Sequence, residues 1–451
     1  MMSAVSGGSY ALSWFLLMPF YHKSRNDKSN SIGSVQNEMF DFNGGFQEYL
    51  VNNAKPLGAH SKMDLIIQTT VALPFDLLLF NAIRLIFSPL NLVTGIVRVA
   101  NRLNAQSIIR AKYREGIQST YQVFPDLQNR EHFERPTFWE NSYIYAEQLN
   151  LTKENVPPIS FPTLSNFAQT VGLPSFILNT TVVPPHPTKN VPLRERIFEL
   201  GSIGFGSDSY GYGSWSETEG FGWEPGEKVE KGWFFDLERK SSPFATIRNF
   251  NVASAISGAA ISGTGIEQTK ARRLIKLLNL GLEYYVPNPS DPSHALRLSD
   301  GGHSENLGAY SLLRRKCQRI LIVDAEYDPN YKFHSYIKLK EAAKKELNID
   351  INIPQIDSII DSSGQFNAEI PIMNGTISTD GKQYGKIFYL KLSKSEKLFG
   401  DQAEIINTYA SSNNLFPQES TIDQYFQPEQ FKAYRSLGYA IARTIESDIL
   451  N

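Results

Sequence analysis

The chain has 451 residues, 41% hydrophobic and 20% charged, ordinary proportions for a globular protein with a full-sized core. Its net charge of −2 excludes bulk attraction to nucleic acid, and its length admits two or three domains or one large α/β domain with insertions. The single cysteine, Cys317, excludes an intramolecular disulfide, so the fold needs no oxidising compartment.

The first residues, MMSAVSGGSYALSWF, run from a Ser-Gly-Gly-Ser turn straight into an apolar helix. A secretion signal is one reading and a nucleophile turn is another. No Lys or Arg precedes the apolar run ALSWFLLMPF, and no small-residue cleavage site follows before YHKSRNDK, which argues against the signal. In the nucleophile reading, Ser6 sits on a sharp strand-to-helix turn, flanked by the small residues Ala4, Gly7 and Gly8 where strand and helix nearly collide. The helix N-terminus behind it would favour a developing oxyanion. Taken alone, S-G-G-S is also a common low-complexity string.

Residues 21–60 are polar and read as a loop, and 64–118 read as helical. The apolar region Leu65–Leu103 is broken by Pro74, Asp76, Arg84 and Pro89, so it lacks the roughly 18–20 uncharged residues of a spanning helix. Two shorter helices fit, lying either on a bilayer surface or in a core. Residues 120–170 are mixed, with a loop predicted at NVPPISFPT. SFILNTTVV (175–183) predicts a strand stopped by Pro184 and Pro185. Asn150, Asn179 and Asn374 each head an N-x-S/T triplet, a pattern that also arises by chance.

The Gly/aromatic tract 200–245 nearly offers a dinucleotide fingerprint at Gly204 and Gly206, but Ser209 replaces the third glycine and no helix follows. It reads as a long surface loop that could rim a pocket. NFNVASAISGAAISGTG (249–265) predicts a small-residue helix packed tightly on a sheet. Residues 294–328 read as strand, Gly turn, helix, strand. In that helix Leu307, Tyr310 and Leu313 recur every three residues, and Arg314, Arg315 and Lys316 crowd the C-terminal end, where the dipole favours cations. Cys317 begins a buried-strand pattern and reads as structural. ISTDGKQYGKIFYLKL predicts an Asp-Gly hairpin. A last helix over 428–448 starts at Pro428 and lines Phe431, Tyr434, Leu437, Ile441 and Ile445 on one face.

A serine nucleophile needs a base. In LSDGGHSENLG, Asp300 ends a strand, and Gly301 and Gly302 let the backbone turn tightly behind it. A plain Asp-Gly turn, like Asp380-Gly381, fits the same residues. His303 could stand between Ser6 and Asp300 as an imidazole, or start a helix beside Glu305 and Asn306. No H-E-x-x-H motif or Cys/His cluster offers a metal site.

The pair S-G-G-S and D-G-G resembles the patatin-like phospholipases, whose fold is shared with the catalytic domain of cytosolic phospholipase A2. Longer stretches resemble large bacterial members. SAVSGGSYA is similar to their nucleophile elbow and ASAISGAAISG to their AISGAA segment. LSDGGHSENLGAYSLLRRKCQRILIVDAEYDP is similar to SDGGHFENLGLYELLRRRC…IVVDA, and FPQESTIDQYFQPEQFKAYRSLG to FPHESTADQFF…QFESYRALG. The matches spread from Ser3 to Gly438.

The resemblance implies a single domain over 1–451 with a three-layer α/β/α hydrolase fold, a membrane-facing helical insertion at 64–118 and a loop insertion at 200–245. It implies a lipid acyl hydrolase with a Ser-Asp dyad. Ser6 attacks the ester, Asp300 takes its proton, and water releases an acyl-serine. Gly7 and Gly8 would serve the oxyanion, and Gly301 and Gly302 would shape the base loop. The expected partners are a phospholipid or other acyl-ester lipid and a membrane surface, with no nucleic acid, no metal and no cofactor, at an intracellular, peripheral location. One feature departs from the family, in which two strands and a glycine-rich loop supplying most of the oxyanion hole precede the elbow. Only five residues precede Ser6 here. The expectation is therefore a sheet lacking its N-terminal strand, in an N-terminally incomplete copy or in a catalytically impaired remnant that binds membranes or a partner.

Overall fold

A computed structural model describes residues 1–25, 160–183, 191–215, 248, 250–258, 284–362, 366–420 and 426–445. The helical region expected at 64–118, the loop beyond Arg25, the Gly/aromatic tract beyond Trp215 and Asn150 lie outside these residues. The described part is mixed α/β, as expected, and is built on two sheets.

The first sheet contains β1 (Met2–Val5), β2 (Phe176–Val182), β3 (Ile197–Gly201), β4 (Gly204–Ser207), β5 (Gly211–Ser214), β6 (Tyr284–Asn288) and β7 (Asp291–Asp300). Its order is β5-β4-β3-β2-β7-β6, with β1 also on β2. The predicted strand β2 is buried at every position and is the hub. β3 lies antiparallel along one side of it. The other side is divided: β1 pairs parallel with Phe176–Asn179, and β7 pairs antiparallel with Thr180–Val182. Running in opposite directions along one edge, β1 and β7 bring their C-terminal ends together.

Helices α1 (Gly7–Arg25), α2 (Phe161–Thr170) and α3 (Phe250–Ser257) cover this sheet. Leu12, Leu16 and Leu17 of α1 share a core with Phe161, Phe176, Leu178, Phe198 and Phe250. The start of α2 corrects the last four residues, 160–163, of the loop expected at NVPPISFPT, the others lying outside the described residues. The Ser160 hydroxyl accepts from the Thr163 N–H, and Pro162 suits the first turn, so this Ser-Phe-Pro string begins a helix. α3 is the described part of the small-residue helix predicted within 249–265, whose residues beyond Gly258 lie outside the described residues, and it packs on β2 and β7.

The loop expected at 200–245 is corrected over its first part, where β4 and β5 form antiparallel strands. Its glycines permit close strand approach: a Cβ on Gly204 or Gly206 would collide with the carbonyl oxygen of Gly213 or Gly211.

The second sheet has the order β8-β11-β10-β9, formed by β8 (Arg319–Asp324), β9 (Ile349–Asn352), β10 (Ile372–Thr379) and β11 (Lys382–Lys391). The β10–β11 pair is the predicted hairpin, with Asp380 and Gly381 at positive φ in its turn. β8 is not the fully buried strand expected: it pairs with β11 and alternates, with Ile320 and Ile322 inward and Leu321 and Val323 outward. Between β7 and β8 lies the short helix α4 (Tyr310–Arg314), and α5 (His334–Leu347) and α6 (Pro354–Ser362) follow β8 and β9. Tyr336 and Leu339 of α5 pack against Ile320, Ile322, Ile387 and Tyr389. α7 (Ala403–Ser412) packs on the last helix, α8 (Pro428–Ala442). As predicted, α8 has Pro428 in its first turn and buries Leu437 and Ile441; a 3-10 turn follows over Arg443–Ile445, and the rest of the expected helix to 448 lies outside the described residues. Among the described residues, no helix is long and apolar enough to cross a membrane.

Candidate active site

β1 ends at Val5 and α1 begins at Gly7, leaving Ser6 alone on the turn between them. Its φ of 51° is the left-handed conformation that a non-glycine residue adopts at a cost of about 1–3 kcal/mol. The strand expected to be missing before the serine is present, as these four residues paired to β2. In the parallel register Val5 lies opposite Asn179, and in the antiparallel register Asp300 lies opposite Thr180. Two consecutive residues of β2 thus bring the two chain segments together.

The Ser6 hydroxyl donates to Asp300 Oδ2 at 3.0 Å, across 294 positions of sequence. Asp300 Oδ1 accepts the Gly302 N–H at 2.7 Å, so both carboxylate oxygens are oriented. Burial pushes the Asp300 carboxyl up to about 7, against the opposing hydrogen bonds from Gly302 and Ser6. A base titrating there suits proton transfer at neutral pH.

The glycines act differently from expectation. Gly301 needs room rather than an unusual dihedral: a Cβ there would collide with the Asn179 carbonyl oxygen and stand 2.6 Å from Val5 Cγ2. Gly7 and Gly8 are exposed on the first turn of α1. The expected crowding of strand against helix is absent there, since a Cβ on Gly7 would have nothing within 4 Å and one on Gly8 only the Ala4 Cβ at 4.0 Å. Gly7 and Gly8 thus lie exposed at the α1 N-terminus, where backbone N–H groups favour negative charge.

His303 does not stand between Ser6 and Asp300, because the Ser6 hydroxyl reaches Asp300 directly. Its Nδ1 lies 3.3 Å from the Ser299 hydroxyl, and its carbonyl accepts from Arg196 at 2.6 Å. Ser299 precedes Asp300 on a strand, so their side chains leave opposite faces. Burial, then the charges of Arg196 and Lys338, lower the His303 imidazole to about 4, which keeps it neutral at pH 7.

The helix behind the base turn is anchored to the same sheet. Arg314 and Arg315 both reach Glu199 of β3 at 2.7 Å, instead of only serving the helix dipole. Burial would raise the Glu199 carboxyl, but the bonds and charges of Arg315 and Arg314 hold it below its ordinary value. Cys317 is half-buried in the turn before β8, its N–H on the Leu312 carbonyl. Among the described residues no group of three His, Cys, Asp or Glu side chains could hold a metal ion.

Sequence reasoning missed two sets of supporting residues. Ser9 and Ser13 of α1 meet Ser257 and Ser254 of α3 at 2.5 and 2.6 Å, and the Tyr10 hydroxyl donates to the Gly258 carbonyl at 2.9 Å. The signal was there: serines four apart on one apolar helix and three apart on another. The second is Asn179, noted only as an N-x-T triplet. It is 4% exposed with both ends of its amide bonded, so this fold gives it no room for a glycan.

No family model matches the chain, and a search of curated proteins finds no match.

Proposed function

We propose that this chain is a serine lipid acyl hydrolase of the patatin-like phospholipase type, with Ser6 as nucleophile and Asp300 as general base. The observation that carries the reading is the direct Ser6–Asp300 hydrogen bond made by a serine in the left-handed conformation of a strand-to-helix turn. The three-layer α/β/α arrangement of that family, and a membrane-facing role for residues 64–118, belong to this same reading.

The chemistry follows from the two side chains. The Ser6 oxygen attacks the ester carbonyl carbon as its proton passes to Asp300 Oδ2. The negative charge on the carbonyl oxygen faces the N–H groups of Gly7 and Gly8. The bond to the alcohol breaks, and the leaving oxygen takes the proton from Asp300. A water molecule then gives a proton to Asp300 and its oxygen to the acyl carbon. The acyl–Ser6 bond breaks, the proton returns to Ser6, and the carboxylic acid leaves.

A fluorophosphonate probe is expected to form an adduct on the Ser6 peptide, identified by mass spectrometry, with phospholipid ester hydrolysis in the unlabelled protein. Labelling that persists in Ser6→Ala would sink the nucleophile assignment. Folded protein that neither labels nor hydrolyses would support the impaired, membrane- or partner-binding remnant instead.

The pH profile provides a separate check. The base works only when unprotonated, and burial holds Asp300 up to about 7. The labelling rate is therefore expected to rise about tenfold per pH unit below 7 and to level off above it. An acidic limb centred near 4 would mean that a solvated carboxylate is the base.

A further inference from the structure

We infer that Asn179 is a positioning residue for the nucleophile, clamping the end of β1 so that the Ser6 oxygen stays within reach of Asp300. This inference rests on the hydrolase reading above.

The amide of Asn179 spans three elements. Its Nδ2 donates to the Ser3 hydroxyl at 2.8 Å and to the Ala4 carbonyl at 3.0 Å, both on β1. Its Oδ1 accepts from the Ser311 hydroxyl at 2.7 Å, on α4. The Ala4 carbonyl can only accept, so the amide orientation follows from chemistry. The backbone carbonyl of Asn179 accepts from the Ser257 hydroxyl at 2.7 Å and abuts Gly301.

Thr181, two residues on, projects from the same face of β2. Its hydroxyl donates to the Gly301 carbonyl at 3.1 Å and shares a 2.8 Å contact with Ser304. One face of β2 therefore carries two clamps, Asn179 for the serine arm and Thr181 for the aspartate arm. β1 is only four residues long and, among the described strands, pairs with β2 alone. The Asn179 bonds tie that short strand sideways at Ser3 and Ala4, three and two residues before the nucleophile. Apolar packing of the same volume could not replace them, because they set direction as well as distance.

The test compares Asn179→Leu, which keeps the branched heavy-atom shape and loses both the donor and the acceptor, with the unaltered chain. Fluorophosphonate labelling counts competent sites and gives the rate at each; KM is measured on a soluble ester. The expected result is a rate per competent site about tenfold lower or more with KM within about twofold, since ångström-scale misplacement of a nucleophile is that costly. A purely structural role would reduce the number of labelled sites and leave the rate at each unchanged, and that outcome overturns the inference. Should Asn179→Leu fail to fold, Ser311→Ala removes the bond that orients Oδ1, together with the Ser311 contact to Glu199 of β3, and is expected to slow labelling about two- to fivefold; an unchanged rate there also overturns it. Wild-type protein that does not label at Ser6 would instead remove the hydrolase reading.

Discussion

Asp300→Asn is expected to lower ester turnover by about 10³–10⁴ and, in the same protein, to raise the melting temperature above pH 7. Both effects come from one carboxylate, 3% exposed: the first from its basicity, the second from its burial. Turnover falls because an amide cannot accept the Ser6 proton, although its oxygen can keep the Gly302 N–H bond. Stability rises because the wild-type fold holds the carboxyl up to about 7, whereas the unfolded chain releases that proton near 3.8. Between those values the native state binds more protons than the unfolded state, so wild-type stability falls as pH rises. Above pH 7 the cost approaches ~4 kcal/mol as an upper bound. The melting-temperature gain in Asp300→Asn should therefore vanish near pH 4, grow through the interval and level off above 7. A gain independent of pH, or a loss at pH 8, would show that the carboxylate is not held at that cost. Folded Asp300→Asn protein with wild-type turnover would end its assignment as base.

Gly301→Ala is the second large expected effect. The added methyl must fit where the Asn179 carbonyl oxygen stands, with Val5 Cγ2 2.6 Å away. Neither neighbour yields easily: one is backbone in the hub strand, and the other belongs to the residue before Ser6. The base turn must lift away from β2, also stretching the Thr181–Gly301 bond. Overpacking of this kind costs about 1–3 kcal/mol, and the widened Ser6–Asp300 gap should lower turnover by about 10². Denaturant unfolding together with steady-state turnover measures both. Gly7→Ala is the natural control, since a Cβ there meets nothing within 4 Å. Equal loss of stability in both variants would contradict the steric account.

Much of the local structure is legible in the residues themselves. The apolar, β-branched FILNTTV run forms its strand, Asp380-Gly381 turns its hairpin, and Pro428 starts the last helix. Where reading failed, one residue type had two uses. The glycines from Gly201 to Gly213 signal a loop equally well as close-packed strands, and only the partner strand decides. The Ser-Phe-Pro string at 160–162 fits a loop until the Thr163 N–H is seen on the Ser160 oxygen. Asn179 carried a signal that went unread: an amide in a strand buried at every position must have polar partners.

Composition and short-range pattern suffice for the α/β class, for a serine before a helix and for an aspartate before two glycines, because each depends on neighbours within a few positions. Whether that serine and that aspartate meet depends on β2, which pairs β1 at Asn179 and β7 at the next residue, and no local pattern encodes a register between segments so far apart. The displacement of His303 from the Ser6–Asp300 pair and the raised pKa of Asp300 likewise come from what surrounds each group in space.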